Sequence, residues 1–312
     1  MPKLEIQPLE EAHLGAVATL LAERHAAQRR VEPLLPDIDD FRPYVDQAWA
    51  AEGASGWVAF RDGEAIGYLI GSPRSDDWGE GNVWVELAGH AVREPEAIRD
   101  LYAVAAETWV DQGIRHHYAL VPATDPELVD AWFRLSFGAQ HALGIQEVPT
   151  GANGASSYAV RPAGREDAEV AARLDLLLPE FQARSPVFGG GNPPSLEELI
   201  EEYRDGEDGV LLAEREGEAV GLLCVGPVEH SGMHVGVARP ERAAILGLAT
   251  TLPEVRGAGA GLALTEACFT WARDHGYETI VVDWRETNLR SSRFWPNRGF
   301  RRTFQRLYRA IH

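Results

Sequence analysis

Pro253-Glu-Val-Arg-Gly-Ala-Gly-Ala-Gly-Leu262 joins two segments of different period. Before it, about Arg242 to Leu252 is an apolar run that reads as a strand. After it, about Gly259 to His275 carries Leu264, Ala267, Cys268, Trp271 and His275 at helical spacing, one stripe expected to be buried with His275 at the edge of the core. Alternating glycines between a strand and a helix let main-chain N–H groups approach a ligand, and the helix start adds partial positive charge, so phosphate oxygens are the expected guest. Arg256 adds a full charge. A dinucleotide fingerprint would need G-x-G-x-x-G, but Leu262 stands where the third glycine belongs, and no Gly-Lys-Ser/Thr follows. The competing reading is a bare glycine turn that only ends the strand.

Outward from this loop, the order of local patterns appears twice. Leu4-Glu-Ile-Gln-Pro-Leu9 and a helix over Glu11 to Ala27 parallel Tyr158-Ala-Val-Arg-Pro-Ala163 and a helix over Glu166 to Leu178. A hairpin follows in each, turning at Asp62-Gly63 and at Glu216-Gly217. Then come a long strand (about Val83 to Ala91; about Arg242 to Leu252), a helix (Pro95 to Gln112; Gly259 to His275), a short strand (His116 to Val121; Thr279 to Asp283), another helix (Pro126 to Leu135; Asn288 to Asn297) and closing strands. This order predicts an α/β (mixed α+β) protein of two tandem domains, each a mixed, mostly antiparallel sheet flanked by helices. The small, polar run at 151–157 reads as the linker between residues 1–150 and 158–312.

Composition bounds the function. The 312 residues carry a net charge of −19; residues 1–150 hold 11 Lys and Arg against 25 Asp and Glu, and 151–312 hold 18 against 23. Such a field repels nucleic acid, and directs a phosphate-bearing ligand to the second half and a cationic one toward the first; acidity serving only solubility is the alternative. No apolar run reaches the roughly 20 residues of a membrane span. Met1-Pro2-Lys3-Leu4-Glu5 lacks a secretory layout, so a cytoplasmic protein is expected. Cys224 and Cys268, far apart and outside any His/Cys cluster, are expected as buried thiols rather than a disulfide or metal site.

Arg256-x-x-Gly259-x-Gly261 resembles the acetyl-CoA signature Q/R-x-x-G-x-G/A of the GNAT superfamily of N-acetyltransferases. Downstream, Asn288-Leu-Arg-Ser-Ser-Arg-Phe-Trp-Pro-Asn-Arg-Gly-Phe300 resembles that family's second motif, N-x-x-A-x-x-F-Y-x-x-x-G-F, with its spacing intact. The resemblance covers about residues 155 to 312 and, through the repeat, residues 1 to 150, an arrangement similar to tandem GNAT proteins such as mycothiol synthase. It implies acetyl-CoA, or another short acyl-CoA, held by Ala249, Thr250 and Thr251 along the arm, by Arg256, Gly257, Ala258, Gly259, Ala260 and Gly261 at the diphosphate, and by Asn288. Some of Arg285, Arg290, Arg293, Arg298, Arg301 and Arg302 are expected near the 3′-phosphate. The first copy reads Gly89-His-Ala-Val-Arg-Glu-Pro-Glu-Ala-Ile98 in place of the glycine loop and is expected to be degenerate, packing against the active copy and walling its substrate pocket.

Acyl transfer to an amine needs a base, stabilisation of the oxyanion, and usually a proton for the thiolate. The resemblance implies Asp283 as general base, with Glu254 and Glu286 weaker; the competing reading pairs Asp283 with a neighbouring arginine. Trp295 occupies the position of the usual tyrosine acid, and an indole is no useful acid. For the acceptor, Ser75 to Trp84 mixes carboxylates with two tryptophans, as a cation site or an ordinary acidic hairpin. Pro186 to Pro194 reads as a loop near the acceptor, with His230 and His234 as further candidates. The leading expectation is acetylation of a small, cationic amine by a monomer or homodimer, without metal, nucleic acid or membrane; an acyl-CoA sensor without turnover is the alternative. Aminoacyl transfer from charged tRNA would need a basic face that the composition lacks.

Overall fold

The computed structural model describes residues 4–74, 81–151, 158–189, 193–206 and 209–312. In chain order the elements are β1 (Glu5–Pro8), α1 (Leu14–Val31), α2 (Arg42–Trp49), β2 (Ser55–Arg61), β3 (Glu64–Gly71), β4 (Asn82–Val85), β5 (His90–Val92), α3 (Ala97–Asp111), β6 (His116–Pro122), α4 (Pro126–Phe133) and β7 (Gly138–Glu147). They continue with β8 (Ala159–Pro162), α5 (Ala168–Asp175), α6 (Leu177–Gln182), α7 (Leu196–Asp205), β9 (Gly209–Arg215), β10 (Glu218–Pro227), β11 (Ala243–Thr251), α8 (Ala260–Asp274), β12 (Thr279–Arg285), α9 (Ser291–Asn297) and β13 (Arg301–Ala310). No helix among the described residues is long and apolar enough to cross a membrane. The expected linker residues 152–157 lie outside the described residues.

The chain divides into two compact units: residues 1–143 with 235–239 and 302–312, and residues 144–234 with 240–301. The last strand therefore does not close the second unit, where the repeat in the sequence places it. Within the first unit β13 pairs antiparallel with β6, from Phe304 opposite Pro122 to Ala310 opposite His116, and Leu307 lies fully buried in that unit's core. Alternation along Arg301 to Ala310 marks a strand but names no partner.

In the first unit, β1-β2-β3-β5 form one sheet and β4-β6-β13 run in another. The β2–β3 turn has Asp62 at φ 52° and Gly63 at φ 81°, the left-handed pair a two-residue hairpin requires. Trp109, Tyr102 and Trp132 fill the core beneath α3 and α4. The long strand expected over Val83 to Ala91 is broken. Val83 to Val85 pair in parallel with β6, whereas His90 to Val92 pair with β3. The gap at 86–89 is filled by Arg24 of α1, whose Nη2 donates to Leu87 O at 2.6 Å and Nη1 to His90 O. Tyr68 Oη donates to Ala88 O at 2.7 Å, and the His90 ring bonds Leu120 O at 3.1 Å through Nε2. Arg24, Tyr68 and His90 are all buried. Burial pushes the Arg24 guanidinium down to about 10, and burial, then Arg24, pushes His90 down to about 3.

In the second unit the strand order is β12-β11-β10-β9-β8. Glu216 and Gly217 turn its hairpin at φ 55° and 86°. Ser195 and Glu198 cap α7 reciprocally, Glu198 N donating to Ser195 Oγ at 3.2 Å and Ser195 N to Glu198 Oε2 at 2.7 Å. Helices α5 and α7 pack together, and Ala171 and Leu174 of α5 bury against Leu212 and Leu222 of the sheet. Along α8 the buried positions are Ala260, Ala263, Leu264, Thr265, Cys268, Phe269 and Ala272. This corrects the expected stripe: His275 is exposed and stacks on Trp271 at 3.9 Å, because the buried face turns through Phe269 and Ala272 instead. Cys224, expected buried, is only half-buried, whereas Cys268 is fully buried.

Candidate functional site

Strand β11 positions the site by changing partners along its length. It pairs in parallel with β12 from Ala243 opposite Thr279 to Leu246 opposite Val282, and there that pairing stops. Its antiparallel pairing with β10 continues to Thr251, with a bulge that sets Cys224 opposite Leu248 and Val225 opposite Leu246, leaving Gly247 as the extra residue. A bulge increases local twist, and here it lies where β11 and β12 part. Gly247 to Thr251 thus form the arm of a fork whose β12-facing main-chain groups have no strand partner among the described residues. Ala249, Thr250 and Thr251 all lie on that arm. Thr250 is buried, its Oγ1 donating to Leu174 O at 2.8 Å and so tying the arm to α5.

The arm leads through the single turn Pro253–Val255 into the glycine loop. Gly257 has φ 81° and Gly259, the residue before α8, has φ 104°, a conformation that side chains rarely adopt. Helix α8 begins with no side-chain cap, so its first N–H groups keep their hydrogen-bonding capacity for a ligand. A Cβ built on Gly257 or Gly259 would meet no atom within 4 Å, and one on Gly261 would meet only the Phe294 ring, at 3.8 Å. The turn is therefore not plugged, and a diphosphate fits the donor set it offers.

Arg256 flanks this loop. Its Nε donates to Thr251 O at 3.2 Å, and its guanidinium carbon lies 5.3 Å from the centre of the Phe181 ring of α6. Arg290 approaches the same ring at 5.7 Å. Burial, and then the Arg290 charge, lower the Arg256 pKa from its ordinary value, while Glu254 opposes the shift. Two like charges on one ring raise each other's free energy, and an anion between them relieves it. Phe181 carried no sequence signal, because an aromatic residue in a short helix reads as core.

The remaining candidates separate. Asp283 is half-buried on β12, the first residue past the last paired one, Val282, and so stands at the mouth of the fork. Glu254 is exposed in the turn before the loop, and Glu286 is half-buried just past β12. Asn288 is buried and caps α9, its Oδ1 accepting from Arg290 N at 3.1 Å and Ser291 N at 3.3 Å. Asn288→Ala is expected to lower stability by about 1–2 kcal/mol, read as a fall in the denaturant midpoint, since a cap bond is lost at a buried site. Trp295 is buried between Phe294 at 4.8 Å and Phe300 at 5.7 Å.

The arginine cluster is dispersed. Arg285 Nε donates to Gln182 Oε1 at 2.9 Å, Arg298 lies over Phe294, Arg293 is exposed and Arg301 pairs with Glu147. Arg302 belongs to the first unit. Of the acceptor candidates, residues 75–80 and 190–192 lie outside the described residues. Trp84 is buried, stacked on Tyr118 at 4.3 Å with Arg74 over its ring at 4.1 Å, so that ring already carries the protein's own cation. His230 borders a cavity of about 410 Å³ in the second unit, whereas His234 is buried and is not among the residues lining it.

Residues 174–300 match the family model described as Acetyltransferase (GNAT) family. Among solved structures, a GCN5-related N-acetyltransferase from Sphaerobacter thermophilus superposes with a TM-score of 0.58 at 14% identity, covering 99% of this chain and 96% of that one. The glucosamine N-acetyltransferase region of a fungal multi-domain GH3 β-N-acetylglucosaminidase superposes at 0.53 and 13% identity, covering 99% of this chain and 38% of that one. A tandem GNAT protein from the clavulanic acid biosynthesis pathway aligns at 0.47 and 17% identity over 98% of this chain and 97% of that one. No curated protein matches the sequence. At these identities the likeness is one of fold, and it spans nearly the whole chain.

Proposed function

We propose that this chain, whose residues 174–300 are a GNAT acetyltransferase domain, is an acyl-CoA-dependent N-acyltransferase acting on a primary amine of a small, cationic molecule by direct attack in a ternary complex. One observation carries the reading: α8 starts without a side-chain cap, on a glycine loop where a Cβ at Gly257 or Gly259 would meet no atom within 4 Å, at the end of a forked strand. Residues 158–312 carry the transferase and residues 1–150 a degenerate copy. Supporting the degenerate reading, buried Arg24, Tyr68 and His90 occupy the gap at 86–89 in the first unit, and residues 89–98 lack the alternating glycines of the second.

Acetyl-CoA, or another short acyl-CoA, supplies the acyl group activated as a thioester when bound. Gly257, Ala258, Gly259, Ala260 and Gly261 hold its diphosphate through main-chain donors, with Arg256 neutralising charge. Ala249, Thr250 and Thr251 orient the arm along the fork, and Asn288 uses its amide nitrogen, since its Oδ1 is committed to α9. Asp283 takes a proton from the attacking amine, directly or through water, with Glu254 the weaker candidate. Trp295 donates no proton, so solvent protonates the leaving thiolate, whose conjugate acid has a pKa of about 8.5.

Thiol release from acetyl-CoA across a panel of amines, beside a calorimetric titration, tests this. The expected result is micromolar-range binding with turnover on at least one amine, and a loss of about 100-fold or more in kcat for Asp283→Asn. The buried Trp295 favours one other reading, an acyl-CoA sensor. Tight binding without turnover on any amine would select it.

A further inference from the structure

The cavity in the second unit opens among the N-terminal end of α5, the C-terminal end of α7, and strands β9 and β10, with Arg165, Glu202, Tyr203, Arg204, Cys224 and His230 on its walls. Its volume of about 410 Å³ suits a small molecule. Behind the Tyr203 wall lies Asp175, the last residue of α5. Tyr203 Oη donates to Asp175 Oδ2 at 2.6 Å and lies 3.4 Å from Cys224 Sγ. Both ends of this group are fixed to the forked strand. Cys224 stands opposite Leu248, next to the Gly247 bulge. Asp175 follows Leu174, whose carbonyl accepts from Thr250 Oγ1 at 2.8 Å. A wall of the cavity and the strand arm assigned to the pantetheine are thus joined through three residues, Cys224, Tyr203 and Asp175.

We infer that this cavity receives the acceptor amine and that Tyr203 relays a proton from it to Asp175. The inference rests on the transferase reading above and adds an acceptor site to it. An amine that arrives as an ammonium must lose two protons on its way to an amide, and Asp283 accounts for one of them. The other passes from the ammonium N–H to Tyr203 Oη as the Tyr203 hydroxyl proton passes to Asp175 Oδ2. The N–H electron pair stays on nitrogen as the nucleophile. The phenol is neutral before and after, the carboxylate becomes a carboxylic acid, and its proton later leaves to solvent. Tyr203 is then a catalytic residue, and Asp175 acts through it.

The surroundings suit Asp175 to this task. Burial raises its pKa, opposed by the Tyr203 hydrogen bond, so it is nearer to neutral pH than an ordinary carboxylate. Tyr203 of α7 and Cys224 of β10 face it. The other ionisable groups on packed elements are Glu197, Glu198, Glu201, Glu202, Arg204 and Asp205 of α7, Glu180 of α6, Glu218 of β10, and Arg165, Glu166 and Asp167 ahead of α5, and none of them is a cause of that shift. Strand β11 carries no ionisable side chain. Asp167 is itself held by Arg161 in two hydrogen bonds of 2.6 and 2.9 Å, which hold its carboxyl at about 2.

The test uses the full chain, acetyl-CoA and whichever panel amine is turned over best. Tyr203→Phe and Asp175→Asn are expected to lower kcat at least 10-fold, leave acetyl-CoA affinity unchanged, and remove the limb of kcat/KM that rises with pH as Asp175 ionises. Tyr203→Phe preserves the ring, so it reads the relay even if the asparagine variant folds poorly. The same amine should slow alkylation of Cys224 by iodoacetamide at concentrations near its KM, with Cys268 silent because it is fully buried. Turnover and pH limb unchanged in Tyr203→Phe would overturn the relay while leaving the transferase reading standing. No turnover by the unaltered protein on any amine, with acetyl-CoA bound, would overturn both.

Discussion

Gly261→Leu is expected to weaken acetyl-CoA binding by about 100-fold or more while the protein keeps its fold, a loss of roughly 2.7 kcal/mol that matches one or two charge-assisted hydrogen bonds. Gly261 lies in the first turn of α8 and does not share the positive φ of Gly257 and Gly259. A Cβ there is unstrained and meets only Phe294, at the ordinary contact distance of 3.8 Å. Replacing a helical glycine with leucine even favours the helix by roughly 0.5–1 kcal/mol. The leucine would fill the gap between the start of α8 and the Phe294 ring, keeping phosphate oxygens away from the main-chain donors. Calorimetric titration and thermal unfolding read the two effects separately. Unchanged affinity with an unchanged Tm would mean that the glycines only punctuate the strand and helix.

The second large effect concerns acid. Burial pushes His90 down to about 3 and His117 down to about 4, both in the first unit. Their pKa values in the unfolded chain are near the ordinary 6.5, so each folded-state value is depressed. As pH falls below 6.5 the unfolded chain takes up protons that the folded unit refuses, and stability is lost progressively down to the folded values. From pH 6.5 to 4.5 the two histidines together remove roughly 4 kcal/mol, a large share of a typical domain's stability. Urea unfolding followed by tryptophan fluorescence at a series of pH values should show that fall. His90→Gln should make that slope shallower, because one of the buried rings that refuse a proton is gone while His117 and His25, also lowered by burial, remain. A stability that stays flat from pH 6.5 to 4.5 would show that these rings are hydrated and protonated in the folded state.

The parts of this molecule that were legible in the sequence are those fixed by local stereochemistry. Asp62-Gly63 and Glu216-Gly217 announced their hairpins because a two-residue turn needs left-handed backbone. Arg256 to Gly261 stood out because glycines between a strand and a helix have few other uses. What stayed hidden depends on residues distant in the chain. Val83 to Ala91 reads as one strand, and only Arg24, some 60 residues earlier, explains why it divides. Trp84 in sequence fits a cation site or an ordinary hairpin equally, and only its stacking on Tyr118, distant in the chain, and the overlying Arg74 place it in a core. Asp175 and Tyr203 gave no motif at all, since a carboxylate at the end of one helix and a phenol on another have no fixed spacing. Phe181 likewise matters only because Arg256 and Arg290 both come to its ring.

The most direct measurement is a crystal structure of the protein grown with acetyl-CoA. The expected density places diphosphate oxygens about 3 Å from main-chain nitrogens between Gly257 and Gly261, with the pantetheine arm along Ala249 to Thr251 and the thioester toward Asp283. Nucleotide density in the first unit, or at the second unit without contact to the start of α8, would contradict it.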